Sequence, residues 1–160
     1  MIFVCLGTQI FQFNRLLSTL DSLIEGKLID EPVYAQIGHS TYTPKNFEYS
    51  KFLEPDIFQD YICEARIVIT HGGTGAIVKA LKANKQIIAV PRREKYEEHS
   101  DDHQLQIVNF FTENGYVKRV DEVNELLGVI KSFEESPITK KFKGEGRIVE
   151  IISDFINSQD

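Results

Sequence analysis

Thr70-His71-Gly72-Gly73-Thr74-Gly75 sets three glycines and a histidine directly behind the β-branched run Ile67-Val68-Ile69. Glycine lets a ligand approach the backbone closely. The helical pattern that follows, Thr74 to Ala83, brings free N–H groups and the positive end of a helix dipole to the same place. That combination suits a phosphate or pyrophosphate cradle, to which the Thr74 hydroxyl adds a donor. A tight turn needing glycine only for its backbone angles would use the same residues, so the neighbouring features decide between the two. Two familiar phosphate loops are excluded. A dinucleotide fingerprint would need a glycine where Val78 stands and an acidic residue where the next strand ends in Pro91-Arg92-Arg93, and no Gly-Lys-Ser/Thr opens the helix. No serine or cysteine nucleophile lies in a recognisable elbow, so His71 does not indicate a catalytic triad.

Two further loops belong to the same reading. Gly7-Thr8-Gln9 also follows an apolar run, and would lie on the same sheet edge and bracket the same ligand. The stretch from Pro91 to Gln104 leaves another strand end and brings Arg92, His99, Asp102, His103 and Gln104 beside the cradle. His103 and Gln104 would open the next helix and aim at a bound sugar; the alternative is a solvated charge run ending in a helix cap. His99 and His103 stand four apart with two aspartates between them. No third histidine, cysteine pair or HExxH pattern supports a metal site, and none is expected.

The elements that must position these loops alternate. Apolar strands are expected at Ile2–Leu6, Val33–Ile37, Arg66–Thr70 and Gln86–Val90, with shorter ones at Asn46–Leu53 and Gly115–Val120. Phe13, Leu16, Leu17, Leu20, Leu23 and Ile24 recur at helical spacing. Pro55 opens a helix to about Cys63, a helix runs from about Asp102 to Thr112, and Asp121 is placed to cap one carrying Val123, Leu126, Leu127, Ile130 and Phe133. Residues 135 to 146 read as a polar loop, and 147 to 157 as a last amphipathic helix. Alternation of this kind predicts an α/β fold: one Rossmann-like, three-layer domain over residues 1–160, with a mostly parallel sheet.

Composition narrows the partners. The 160 residues are 42% hydrophobic with a formal net charge of −6, which supports a sizeable core and argues against nucleic-acid binding. Cys5 and Cys63 form no CxxC pair and read as buried, reduced thiols. No run approaches the ~18–20 apolar residues of a membrane span, and Met1 to Gly7 reads as a strand, not a signal peptide. A cytoplasmic protein is expected, reaching a membrane through a partner.

The ordered set Val4-Cys5-Leu6-Gly7-Thr8-Gln9, Phe13-Asn14-Arg15-Leu16-Leu17, Gln36-Ile37-Gly38, Ile69 to Gly75, Ala80-Leu81, and Val90-Pro91-Arg92 followed by His99 to Gln104 resembles a known domain over residues 1 to about 120. It is the C-terminal, donor-binding domain of GT-B glycosyltransferases of the family 28 type. More narrowly, the chain is similar to the stand-alone form of that domain. This form is the small subunit of the eukaryotic dolichol-linked N-acetylglucosaminyltransferase and of its bacterial counterparts in capsule and exopolysaccharide operons.

The resemblance implies a UDP-sugar bound without metal or other cofactor. Thr8 and the backbone of Gly72 to Gly75 would hold the pyrophosphate, and His103 and Gln104 would contact the sugar. The candidate donor-binding set is therefore Gly7, Thr8, Gln9, His71, Gly72, Gly73, Thr74, Gly75, Lys79, Arg92, His99, Asp102, His103 and Gln104. It further implies a membrane-anchored partner that holds a lipid-linked saccharide acceptor, completes the cleft and supplies the catalytic base. Ile148, Ile151, Ile152, Phe155 and Ile156 would dock on that partner or pack on their own domain. Left exposed, that face would drive self-association.

One residue departs from the family pattern. Where the family carries a glutamate that grips the ribose hydroxyls, this chain has Lys79, and an ammonium can only donate. Lys79 would instead meet a phosphate or an acidic sugar, or mark a non-catalytic accessory subunit. A different nucleotide-using enzyme, such as a sugar epimerase, lacks an evident acid/base carboxylate pair beside the cradle.

Overall fold

The computed structural model describes residues 1–143, 150, 152–154 and 157; the side chain of His103 lies outside that set. The elements are β1 (Ile2–Cys5), α1 (Asn14–Glu25), β2 (Val33–Gln36), β3 (Glu48–Ser50), α2 (Pro55–Glu64), β4 (Ile67–Thr70), α3 (Thr74–Lys82), β5 (Gln86–Ala89), α4 (His103–Glu113), β6 (Lys118–Arg119) and α5 (Leu126–Glu135). The strands form one six-stranded sheet in the order β3-β2-β1-β4-β5-β6. Every pairing is parallel.

The two-residue period of a strand distributes β1 between two cores. Ile2, Val4 and Leu6 point to a cluster with Leu16, Leu17 and Leu20 of α1 and Leu126, Ile130 and Phe133 of α5. Phe3 and Cys5 point to the opposite cluster, with Ile62 of α2, Ile77 and Leu81 of α3, and Val108 and Phe111 of α4. Because both sheet faces are covered, β1 and β4 are buried along their whole length, which is why they read as continuous apolar runs.

An all-parallel sheet brings every strand's carboxyl end to one edge. From β1 the chain turns to α1 on one face, and from β4 to α3 on the other, so a crevice opens where the strand order reverses. Gly7 lines this crevice and Gly38 packs behind it, with φ of +75° and +60°. A β-carbon on Gly38 would lie 2.7 Å from the Gly7 carbonyl oxygen.

Several details differ from the sequence reading. β3 is shorter than the aromatic run that suggested it, and a 3₁₀ turn, Glu94–Tyr96, breaks the charged stretch. Asp121 does not cap α5; a 3₁₀ turn, Val123–Glu125, intervenes. Its carboxylate instead accepts from Arg119 Nε at 2.8 Å and from Arg93 at 3.1 Å. Cys5 is buried, which pushes its thiol up to about 12, but Cys63 is exposed, because it falls on the outer side of α2.

The polar segment after α5 is strapped to the sheet. Ile138 N–H donates to Gln86 Oε1 at 2.7 Å, and Gln86 Nε2 donates back to the Ile138 carbonyl at 3.1 Å. Of the proposed docking face, Ile152 packs against the second core cluster, so this residue serves its own domain. Ile148, Ile151, Phe155 and Ile156 lie outside the described residues. Among the described residues no helix is long and apolar enough to cross a membrane.

Candidate functional site

A cleft of about 570 Å³ opens at the carboxyl edge where the loops after β1, β4 and β5 converge, a size suited to a small organic ligand. Gly7, Thr8 and Gln9 line one side. His71, Gly73, Thr74 and Gly75 line the next, with Lys79 one turn into α3. His99 and Gln104 come from the third loop.

The start of α3 is the anion-binding element. Its first intrahelical bond runs from Ile77 N–H to the Gly73 carbonyl at 3.1 Å. The N–H groups of Thr74, Gly75 and Ala76 therefore have no acceptor within the helix, and no side chain caps it. All three residues line the cleft. Dipole and free donors together favour negative charge there.

His71 forms the floor. Its Nδ1 lies 3.1 Å from the Cys5 carbonyl; a carbonyl only accepts, so Nδ1 carries the proton and Nε2 keeps its lone pair. A β-carbon on Gly73 would stand 2.4 Å from Nε2, and one on Gly7 2.9 Å. Both glycines are thus required by the imidazole between them. Burial, with the nearby Arg92 charge, pushes the ring's pKa down to about 4, so His71 is neutral at physiological pH.

The remaining candidates divide. Gly72 does not line the cleft: its φ is +90°, and a β-carbon there would meet Val108 Cγ2 of α4 at 2.7 Å, so it serves helix packing. Arg92 is corrected from ligand contact to brace. It is 1% exposed and donates to the carbonyls of Leu6 (2.6 Å), Gln12 (2.9 Å), Phe11 (3.0 Å) and Glu98 (3.1 Å). Desolvation pulls its pKa down to about 10, so it remains charged at neutral pH. Asp102 turns away from the cleft and accepts from Glu94 N–H at 3.2 Å. His103 opens α4 as expected. Gln104 is buried on the cleft wall, and its Oε1 has no hydrogen-bond partner.

Sequence reasoning missed one wall and one brace. Leu53, Pro55 and Phe58 form an apolar side of the cleft, with Lys79 Nζ 5.0 Å from the Phe58 ring centroid. Glu98, fully buried, takes Arg15 at 2.8 and 3.0 Å and Arg93 N–H at 3.0 Å. It thereby ties the His99 loop to α1.

The electrostatic balance follows. Among the described residues lining the cleft there is no aspartate or glutamate, and Lys79 carries the permanent charge. No group of three or more potential metal-ligating side chains forms among the described residues.

The glycosyltransferase family 28 C-terminal domain model matches residues 1–148. No curated protein sequence matches significantly. Among solved structures, the glycosyltransferase of kitacinnamycin superposes with a TM-score of 0.61 at 19% identity, over 85% of this chain and 35% of that one. This chain thus spans about a third of that enzyme. ALG13 superposes with a TM-score of 0.55 at 20% identity, over 89% of this chain and 88% of its own. The molybdenum cofactor binding protein from Rippkaea orientalis superposes with a TM-score of 0.56 at 15% identity, over 83% and 96%. Likeness at these identities is a likeness of fold.

Proposed function

The chain belongs to the glycosyltransferase family 28 C-terminal domain family, and from that premise we propose that it is the UDP-sugar-binding subunit of a two-component inverting glycosyltransferase. The partner would be a membrane-anchored, acceptor-binding subunit that recruits it to the inner face of the membrane. The acceptor would be a lipid-linked saccharide of capsule or exopolysaccharide synthesis. The similar span of ALG13, nearly all of which this chain covers, supports a domain of this size working as a separate polypeptide.

The observation that carries the donor reading is the lining of the cleft. The free N–H groups of Thr74, Gly75 and Ala76, together with Lys79, face a space that no described carboxylate enters. Such a site stabilises a diphosphate and would disfavour a carboxylate-bound metal. Apolar Phe58 and Leu53 offer a flat face for the base, and a rotation of the Gln104 amide would bring its buried, unpartnered Oε1 to a sugar hydroxyl.

In the reaction, the bond between the sugar's anomeric carbon and the β-phosphate oxygen breaks, and UDP leaves with the electron pair. The acceptor oxygen bonds the opposite face of the anomeric carbon, inverting it. The charge growing on UDP is met by preformed donors at the start of α3. The acceptor's proton needs a base, and His71 is not that base, since burial pulls its pKa down to about 4. We assign that role to the partner. Calorimetric titration with UDP and a set of UDP-sugars tests the donor reading, and transfer activity on adding the partner subunit tests the division of labour.

Lys79 favours a second reading, a non-catalytic accessory subunit, because an ammonium stands where the family's ribose-gripping carboxylate is expected. That reading predicts partner association without measurable affinity for UDP-sugars.

A further inference from the structure

A second cavity, of about 460 Å³, is shaped by the segment after β2 and by the end of β3. It shares a wall with the donor cleft, and the division falls between consecutive residues. Gln36 and Leu53 line the cleft, while Ile37 and Phe52 line the second cavity. The turn at Gly38 presses against the Gly7 carbonyl.

The lining has a distinct chemistry. Tyr49 and Phe52 remain 37% and 48% exposed, and His39 meets the Phe52 ring edge-on with centroids 5.2 Å apart. Tyr42 is fixed by donating to Asp21 at 2.7 Å, and Asp21 also accepts the N–H groups of Lys45 and Asn46 at 2.9 and 2.8 Å. That carboxylate therefore pins the loop that forms one rim. Thr41 and Thr43 stand exposed on the same rim. Thr41 Oγ1 accepts from Asn14 Nδ2 at 2.8 Å, which leaves its O–H free to donate. Among the described lining residues there is no carboxylate, and Lys51 is the one lysine or arginine.

Aromatic faces beside hydroxyl groups, with little charge, match a pyranose ring. Its C–H face packs on an aromatic surface while its hydroxyls exchange hydrogen bonds at the rim. A phosphate would call for the free N–H donors and positive charge found in the first cleft. We propose that this groove binds a neutral saccharide unit of the acceptor glycan, alongside the donor. The acceptor assignment rests on the donor reading of the neighbouring cleft; saccharide binding in the groove does not.

The test is chemical-shift mapping of the nitrogen-15-labelled chain titrated with cellobiose, lactose and N,N′-diacetylchitobiose, with and without UDP. The expected result is millimolar, saturable shifts at the amides of Thr41, Lys51 and Phe52. Binding becomes about fivefold weaker in Phe52→Ala and in Tyr49→Ala, with UDP shifts at Thr74 and Gly75 intact in both variants. Groove amides that respond to none of the three disaccharides, or shifts that Phe52→Ala leaves unchanged, overturn the proposal. Groove shifts without any UDP shift keep the saccharide site and remove its assignment to the acceptor.

Discussion

The imidazole of His71 occupies the space in which a side chain at residue 73 would begin, with Nε2 2.4 Å from the position of a β-carbon on Gly73. The ring is held there by its bond to the Cys5 carbonyl. The glycines around the cleft therefore have different duties. Gly73 and Gly7 make room for His71, whereas Gly72 makes room for Val108.

Gly73→Ala should push the His71 ring out of its seat. Overpacking of this kind costs about 1–3 kcal/mol of stability, and UDP affinity should drop steeply because Thr74 and Gly75 follow directly. Gly75→Ala is the comparison, since a β-carbon on Gly75 meets nothing within 4 Å, and its stability should stay near that of the parent. Denaturant melts and calorimetry of both variants decide; equal losses would contradict the account.

The pH dependence of stability should carry the mark of His71. Its folded pKa is about 4 against an ordinary 6.5, so between those values the unfolded chain binds more protons. Stability is then fully present above about pH 6.5, falls as pH drops towards about 4 and levels off below, a loss of about 3 kcal/mol. His71→Asn can still donate to the Cys5 carbonyl, yet it should flatten the profile over that window. Urea melts across the pH range compare the two, and identical slopes would rule the assignment out.

Arg92 should matter for ligand binding without touching ligand. Its four carbonyl acceptors lie on the β1–α1 loop and at Glu98, next to His99. Arg92→Met leaves these four carbonyls without this donor, while the Glu98 carboxylate keeps Arg15. A loss of at least about 1–3 kcal/mol is expected from the buried acceptors left unpaired, with weaker UDP binding. Arg92→Lys should recover only part, since one ammonium cannot span the same acceptors. Full recovery by lysine would show that charge alone matters.

Gln104 should separate the sugar from the nucleotide. Gln104→Leu removes a buried acceptor that has no partner, so stability should hold or rise slightly. UDP affinity should be unchanged, and any advantage of a UDP-sugar over UDP should shrink. Competition titrations read this directly; an equal loss for UDP and UDP-sugar would place Gln104 elsewhere in the mechanism.

Much of this site was legible in the sequence because its parts are local. Buried parallel strands announce themselves as continuous apolar runs, and a glycine behind one marks the ligand edge. The Gly7 and Thr70–Gly75 loops could be found this way, as could the entry of Gln104 at the start of α4. What escaped was decided by contacts distant in sequence. Arg92 read as a ligand contact because nothing local reveals that the Leu6 carbonyl, 86 positions away, claims its guanidinium. Arg15 and Glu98 are 83 positions apart. Asp121 had the right residue type for a cap, but two arginines took its carboxylate first. Phe58 sits on a helix whose pattern gives no sign that one turn faces a cleft.

The most direct test of the central claim is calorimetric titration of the isolated chain with UDP, repeated in EDTA. Binding whose affinity is the same in both conditions, and which Gly73→Ala abolishes, is the predicted result. No heat at millimolar UDP, or binding that EDTA removes, would contradict a metal-free diphosphate site at the start of α3.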